Sequence, residues 1–329
     1  MVDANAQPLR DGPSHPADAA VDARPRTDAA AGCDSGVASI ACLLVVDAEH
    51  SPASIAVDDN NVYWSEGGQT TDMAEIVRVP RTGGQPVTLA HGATSSLVSD
   101  GSYVYFTDFL DLPQRHVLRV PVDGGAVVTL APADSPQCLT VDDQDVYWTD
   151  RGGVLKVAKA GGATVTVAPP SQQIQHSIVV DQATVYWAAN GVFRVSKDGG
   201  AVGTLVDGAS GTVGGPCRGL ALSAGGLFAS YYARVDAGGS ALVRVPLAAD
   251  AGGLTTLVSS GDPTMLVASS TDLFWTGFGP MLDIHETPAD GGPSTTLATP
   301  DVQSIHDIVC ASDGTLYWTT DTQVQSFTP

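Results

Sequence analysis

Beyond residue 40 the chain is a succession of apolar runs about four residues long, each closed by a short polar link, and the succession recurs seven times. In the first copy the runs are Ser54–Val57, Val62–Ser65, Ile76–Val79 and Pro86–Leu89. Such segments are short and rich in β-branched and aromatic residues, so each predicts a strand. The first-to-second link is four polar residues, Asp58-Asp59-Asn60-Asn61 in the first copy and Asp142-Asp143-Gln144-Asp145 in the third. Asp and Asn favour turns because their side chains bond nearby backbone N–H groups. The third-to-fourth link is Pro-x-x-Gly-Gly or a variant, as in Pro80…Gly83-Gly84, Pro121…Gly124-Gly125 and Pro288…Gly291-Gly292. Proline presets the turn and glycine takes its left-handed position, so each copy is expected to carry two tight hairpins.

The second run fixes the period. Its core reads Val62-Tyr63-Trp64, Val104-Tyr105-Phe106, Val146-Tyr147-Trp148, Val185-Tyr186-Trp187, Leu227-Phe228-Ala229, Leu273-Phe274-Trp275 and Leu316-Tyr317-Trp318. The third residues lie 42, 42, 39, 42, 46 and 43 apart, and all five tryptophans of the chain occupy this slot. A period near 42 marks a repeat architecture. Four short antiparallel strands repeated seven times describe an all-β, seven-bladed β-propeller, with the aromatic slot filling the space between blades. The seventh copy has only three runs, Ile308–Ala311, Leu316–Thr319 and Val324–Phe327. The N-terminal run Cys42-Leu43-Leu44-Val45-Val46 is therefore expected to complete blade seven and cover its open edge. On this reading residues 37–329 are the propeller and residues 1–36 a disordered Asp/Ala/Pro-rich linker with almost nothing to bury.

Tyr147-Trp148-Thr149-Asp150 spells YWTD, and the chain resembles the YWTD-type propellers of lipoprotein-receptor ectodomains. The other copies depart from that tetrad as YWSE, YFTD, YWAA, FASY, FWTG and YWTT, and the receptor propellers have six blades. A closer resemblance is to bacterial exported propellers built of VDxxxVYWT…RVPxxGG…LA units, and it covers residues 41–329. What it implies is the fold. Function it leaves open, since propellers host binding, scaffolding and catalysis alike.

Composition narrows the partners. A formal charge of −21, with only 15 Lys and Arg, repels phosphate backbones and argues against nucleic acid. No apolar run approaches the length of a membrane span. The five cysteines, at 33, 42, 138, 217 and 310, show no metal-ligand spacing. Cys33 and Cys42 are close enough to close a small loop in an exported protein, and the other three read as buried thiols in strands. Ala30-Ala31-Gly32-Cys33 resembles a lipoprotein cleavage site, but the stretch before it is charged. The tail reads as the tether of an exported protein, extracytoplasmic or at the cell surface, whose leader is missing from this chain or whose start is misplaced.

Both tight links belong to one face of the disc, so the second-to-third and between-blade loops share the other. Loop length varies on this second face, from Asp150–Gly153 to Ser230–Ser240, and function gathers on variable loops of a rigid scaffold. These loops carry Tyr231 and Tyr232 in blade five and Phe278, Met281 and Leu282 in blade six, residues suited to an apolar binding patch. Just before each innermost strand, Ala53, Ser95, Gln137, His176, Arg218, Thr264 and Asp307, with His306 beside the last, are expected to ring the mouth of the central channel. The leading reading is a non-enzymatic module that binds a protein or glycan through Gln137, His176, Arg218, Tyr231, Tyr232, Phe278, Met281 and Asp307. The alternative is a lyase or lactonase-type hydrolase using His176, His306 and Asp307 as its acid–base groups. A plain surface scaffold is the third. No calcium loop, phosphate loop or nucleophile elbow is present, and neither a cofactor nor a metal is expected.

Overall fold

The computed structural model describes residues 42–46, 51–67, 74–92, 94–108, 115–151, 153–170, 177–208, 217–231, 240–247, 253–277, 282–300 and 304–329. The tail, the linker boundary at residue 36 and Cys33 lie outside the described residues. The described chain forms seven four-stranded antiparallel sheets, each in sequence order from its innermost strand outward, except the seventh. The innermost strands are Ser51–Val57, Leu97–Ser99, Leu139–Val141, Ser177–Val180, Cys217–Ser223, Leu266–Ala268 and Ile305–Cys310. Each touches the innermost strands on either side, and the contact between the first and last closes a seven-bladed ring.

Alternation along the second strands explains the repeated aromatic pair. In blade three, Tyr147 turns toward blade four, among Ile178 and Trp187, whereas Trp148 turns back toward blade two, among Tyr105 and Leu130. One pair thus fills both flanking seams, and both rings are fully buried. The indole N–H needs an acceptor in that setting. Trp148 Nε1 donates to Asp150 Oδ2 at 3.2 Å and Trp64 Nε1 to Glu66 Oε1 at 2.9 Å, whereas Trp275 and Trp318 donate to Thr287 and Gln325 of the neighbouring strand.

The outer strands share a second device. In blades one to six the pairing of third and fourth strands skips one residue, leaving Leu89, Leu130, Val167, Leu205, Leu257 and Leu297 as β-bulges. Blade seven takes its outermost strand from the N-terminal end, Cys42–Val46, paired with Gln323–Phe327. Its register skips Leu44, which is buried between blades seven and one with Ile55, Trp64 and Tyr317. Leu44 is therefore the seventh member of the bulge series.

On the tight-link face the expected turns form. Asp142 Oδ1 accepts the N–H groups of Gln144 and Asp145, both at 2.8 Å, and Oδ2 accepts the Tyr147 hydroxyl at 3.0 Å. Asp58, Asp100 and Asp181 repeat the arrangement with Tyr63, Tyr105 and Tyr186. In the other tight link Gly83 N–H bonds Pro80 O at 2.8 Å with φ +82° at Gly83, the left-handed position glycine takes freely. Cations then bolt the blades together: Lys159 of blade three reaches Asp100 of blade two at 2.6 Å, and Lys197 of blade four reaches Asp142 of blade three at 2.7 Å.

Candidate functional site

The opposite face carries the channel mouth. A Ser or Thr follows the aromatic slot in six blades, and these hydroxyls hold the entry of the innermost strands. Ser230 Oγ accepts Gly219 N–H at 2.9 Å and donates to the Thr264 carbonyl of the next blade at 2.6 Å. Thr319 Oγ1 likewise donates to Ala53 O at 2.5 Å, across the closing seam. The sequence signal of this layer is the Ser or Thr that follows the slot in six of the seven repeats.

Strand pairing corrects the expected ring of mouth residues by one place. Ile55, Leu97, Leu139, Ile178, Leu220, Leu266 and Ile308 stand opposite the aromatic-slot residue. Two positions earlier come Ala53, Ser95, Gln137, Arg218, Thr264 and His306, with His176 in the corresponding place outside the described residues. Asp307 belongs one step further in. The register shifts between Ile305 and Asp307, leaving His306 as the extra residue, as Arg218 is in blade five. Gln137 and Arg218 are exposed, as a mouth requires.

Asp307 is used by the fold. Oδ2 accepts Ile55 N–H at 3.0 Å and the Ser54 hydroxyl at 3.2 Å, while Oδ1 accepts Ile308 N–H at 2.9 Å. Burial pushes its carboxyl up to about 6 against the lowering effect of those three donors. His306 is tied as well. Its Nδ1 lies 2.8 Å from Pro52 O in blade one, and its Nε2 lies 2.9 Å from Ser304 Oγ and 3.0 Å from Asp321 Oδ1. Ser304 Oγ donates to the same Asp321 oxygen at 2.5 Å. The geometry is a polar clamp across the seam of blades seven and one. Ser304 and Asp321 had no sequence signal, since both lie in links between strands.

The apolar patch needs one correction. Tyr231 ends the second strand of blade five and is fully buried with Cys217, Leu220 and Val243, so it is core and offers no exposed ring. Its hydroxyl, beside the Cys217 thiol, meets no nitrogen or oxygen partner among the described residues. Tyr232, Phe278 and Met281 lie outside the described residues, and Leu282 packs partly buried against Phe274 and Trp318. Among the described residues no three His, Cys, Asp or Glu side chains gather as metal ligands. No described helix is long and apolar enough to cross a membrane.

The fold is that of a seven-bladed β-propeller, and solved β-propeller structures are similar to it. No protein-family model matches the chain, and no curated protein matches it. The chain is similar to a structure of the nidogen/laminin complex, at 17% identity over 73% of this chain and 93% of that one, with a TM-score of 0.51. It is similar to a catalytically inactive virginiamycin B lyase from Staphylococcus aureus solved with quinupristin, at 15% identity over 88% and 99% of the two chains and a TM-score of 0.62. It is also similar to the extracellular domain of the one-component system BT4673 from B. thetaiotaomicron, at 10% identity over 87% of this chain and 39% of that one, with a TM-score of 0.62. At such identities the likeness is one of fold.

Proposed function

We propose that this propeller is an extracytoplasmic binding or scaffold module that presents a protein- or glycan-specific surface on its variable-loop face. The observation that carries this reading is the use made of Asp307 and His306. Both are tied into the seam between blades seven and one, where the catalytic alternative needs them facing a substrate. On this reading the binding residues are Gln137 and Arg218, exposed at the channel mouth, together with His176, Tyr232, Phe278 and Met281, which the repeat pattern assigns to the same face. An extracytoplasmic setting is supported by the tail composition and by the fold likeness to an extracellular domain. The lyase reading has one observation in its favour, the fold likeness to virginiamycin B lyase.

Glycan-array and cell-surface binding assays with wild type and with a Tyr232→Ser, Phe278→Ser, Met281→Ser triple variant test the reading. Loss of binding in a folded variant is expected. An unchanged binding profile sinks it. Turnover that disappears in His176→Ala plus His306→Ala while binding persists would instead establish the catalytic alternative.

A further inference from the structure

On the tight-link face the seven copies obey a rule that one of them breaks. In blades one to four the second strand carries tyrosine, and its hydroxyl donates to the aspartate that opens the preceding turn: Tyr63 to Asp58 at 2.6 Å, Tyr105 to Asp100 at 2.9 Å, Tyr147 to Asp142 at 3.0 Å and Tyr186 to Asp181 at 2.9 Å. In blades five and six the tyrosine is Phe228 or Phe274, and the turn opens with Ser223 or Ser269. Hydroxyl and carboxylate are present together or replaced together. Blade seven keeps the tyrosine, Tyr317, and puts Ala311 at the head of the turn. The backbone confirms the equivalence, for Ala311 N–H bonds Thr315 O at 2.8 Å as Asp58 N–H bonds Asn61 O at 3.0 Å.

The cation of the pattern is also present. Lys159 and Lys197 come from the following blade to the aspartate that also holds the tyrosine. Arg81 of blade one comes from the same strand end, and its Nε donates to Tyr317 Oη at 2.9 Å while Nη2 pairs with Asp313 Oδ2 at 2.6 Å. Nη1 keeps only a long bond to Asp59 O at 3.4 Å. Tyr317 therefore accepts from Arg81, and its own O–H has no acceptor among the described residues. A cleft of about 440 Å³ opens here, lined by Arg81, Tyr317, Thr315, Ser326, Thr328 and Asp59 among others.

We propose that this cleft binds the carboxylate of a small ligand, which takes the place against Tyr317 that an aspartate side chain takes against tyrosine in blades one to four, and the place against Arg81 that an aspartate takes against lysine in blades two and three. The Tyr317 O–H and Arg81 Nη1 supply donors, and the threonine and serine hydroxyls suit a polar body attached to the carboxylate. Asp59 and Asp313 at the rim oppose a second negative charge, so the ligand carries one carboxylate and binds weakly. The site lies on the face opposite the variable loops and stands or falls independently of them.

Calorimetric titration of the full chain with D-glucuronate and with N-acetyl-L-alanine tests it, beside the neutral methyl glucoside and N-acetyl-L-alanine amide. At least one carboxylate should bind in the millimolar range, with its neutral counterpart at least about tenfold weaker. Binding of glucuronate alone assigns an acidic sugar, binding of N-acetyl-L-alanine alone a peptide terminus, and binding of both the carboxylate as such. Two variants give the control. Ala311→Asp supplies the carboxylate from the chain and should abolish binding while raising the melting temperature by about 2–3 °C. Tyr317→Phe copies blades five and six and should fold while losing at least about tenfold in affinity. Equal binding of charged and neutral probes, no binding by either carboxylate, or binding that survives in both variants overturns the proposal.

Discussion

Asp307 Oδ2 accepts the backbone N–H of Ile55 at 3.0 Å and so ties the innermost strand of blade seven to that of blade one. The same bond is made elsewhere by serine. Ser96 accepts Leu139 N–H at 3.1 Å and Ser177 accepts Leu220 N–H at 3.2 Å, each across one seam. An aspartate at the closing seam adds a titration that serine lacks. Its folded value of about 6 stands above the ordinary 3.8, so its contribution is fully present below about 4 and is lost as the pH rises through 6. A shift of that size corresponds to about 3 kcal/mol. Asp307→Ser should therefore keep the seam bond and flatten the stability profile between pH 4 and 7. Asp307→Ala should leave Ile55 N–H unpaired and cost about 1–3 kcal/mol. Chemical denaturation of the three proteins across that range checks both.

Closure by the N-terminal strand is open to an equally direct test. Leu44 is the bulged residue that the other six blades supply as Leu or Val, and it is buried against Ile55 and Trp64. Leu44→Ala should cost about 2–4 kcal/mol, and deletion of 41–47 more, because it also bares the edge of Gln323–Phe327. Deletion of 1–36 should leave the melting temperature unchanged. Thermal melts of the three chains settle the order, and equal losses for the two deletions would contradict the closure role.

The three described free thiols should be inert. Burial pushes the Cys138 thiol up to about 12, with a smaller contribution from the Asp307 carboxylate, and pushes Cys310 up to about 11; Cys217, fully buried, is raised further. Only the thiolate attacks, so little of any of them is reactive near neutral pH. In a Cys33→Ser, Cys42→Ser background, thiol titration at pH 8 should find no fast-reacting group in the folded protein and three after denaturation. A fast folded-state thiol would mean that one of these strands opens readily.

Much of this was legible before any coordinates. Strand number, blade number and closure followed from the 42-residue period and the missing fourth run, because hydrophobic spacing and turn chemistry are local signals. The mouth was less legible. The residues that enter each innermost strand are polar and irregular, so the apolar pattern does not say whether His306 or Asp307 stands at the mouth. Tyr231 reads as a loop residue because the repeat core of blade five ends at Ala229, yet the second strand extends to Tyr231 and buries the ring. The contact of Asp307 with Ile55 joins the last copy to the first and exists only once the ring closes, while that of Lys197 with Asp142 depends on how one blade packs against the next.

Asp142 offers the clearest acid-side prediction. Burial alone raises its carboxyl, but the Lys197 ammonium, the N–H groups of Asp145 and Gln144 and the Tyr147 hydroxyl outweigh it and hold the group down to about 2. Its folded value lies below the ordinary 3.8, so the stabilisation is present above about pH 4 and is lost as the pH falls through 2. The pair remains partly solvated, with Lys197 and Asp142 side chains 15% and 19% exposed, so about 1–2 kcal/mol is the expected size. Asp142→Asn removes the charge while keeping an oxygen for the turn. It should lose that amount at pH 7 and converge with wild type near pH 2. Lys197→Met should show part of the same loss, and the double variant less than the sum, because both single changes break one contact. Strictly additive losses in that cycle would show that the two blades are not coupled through this pair.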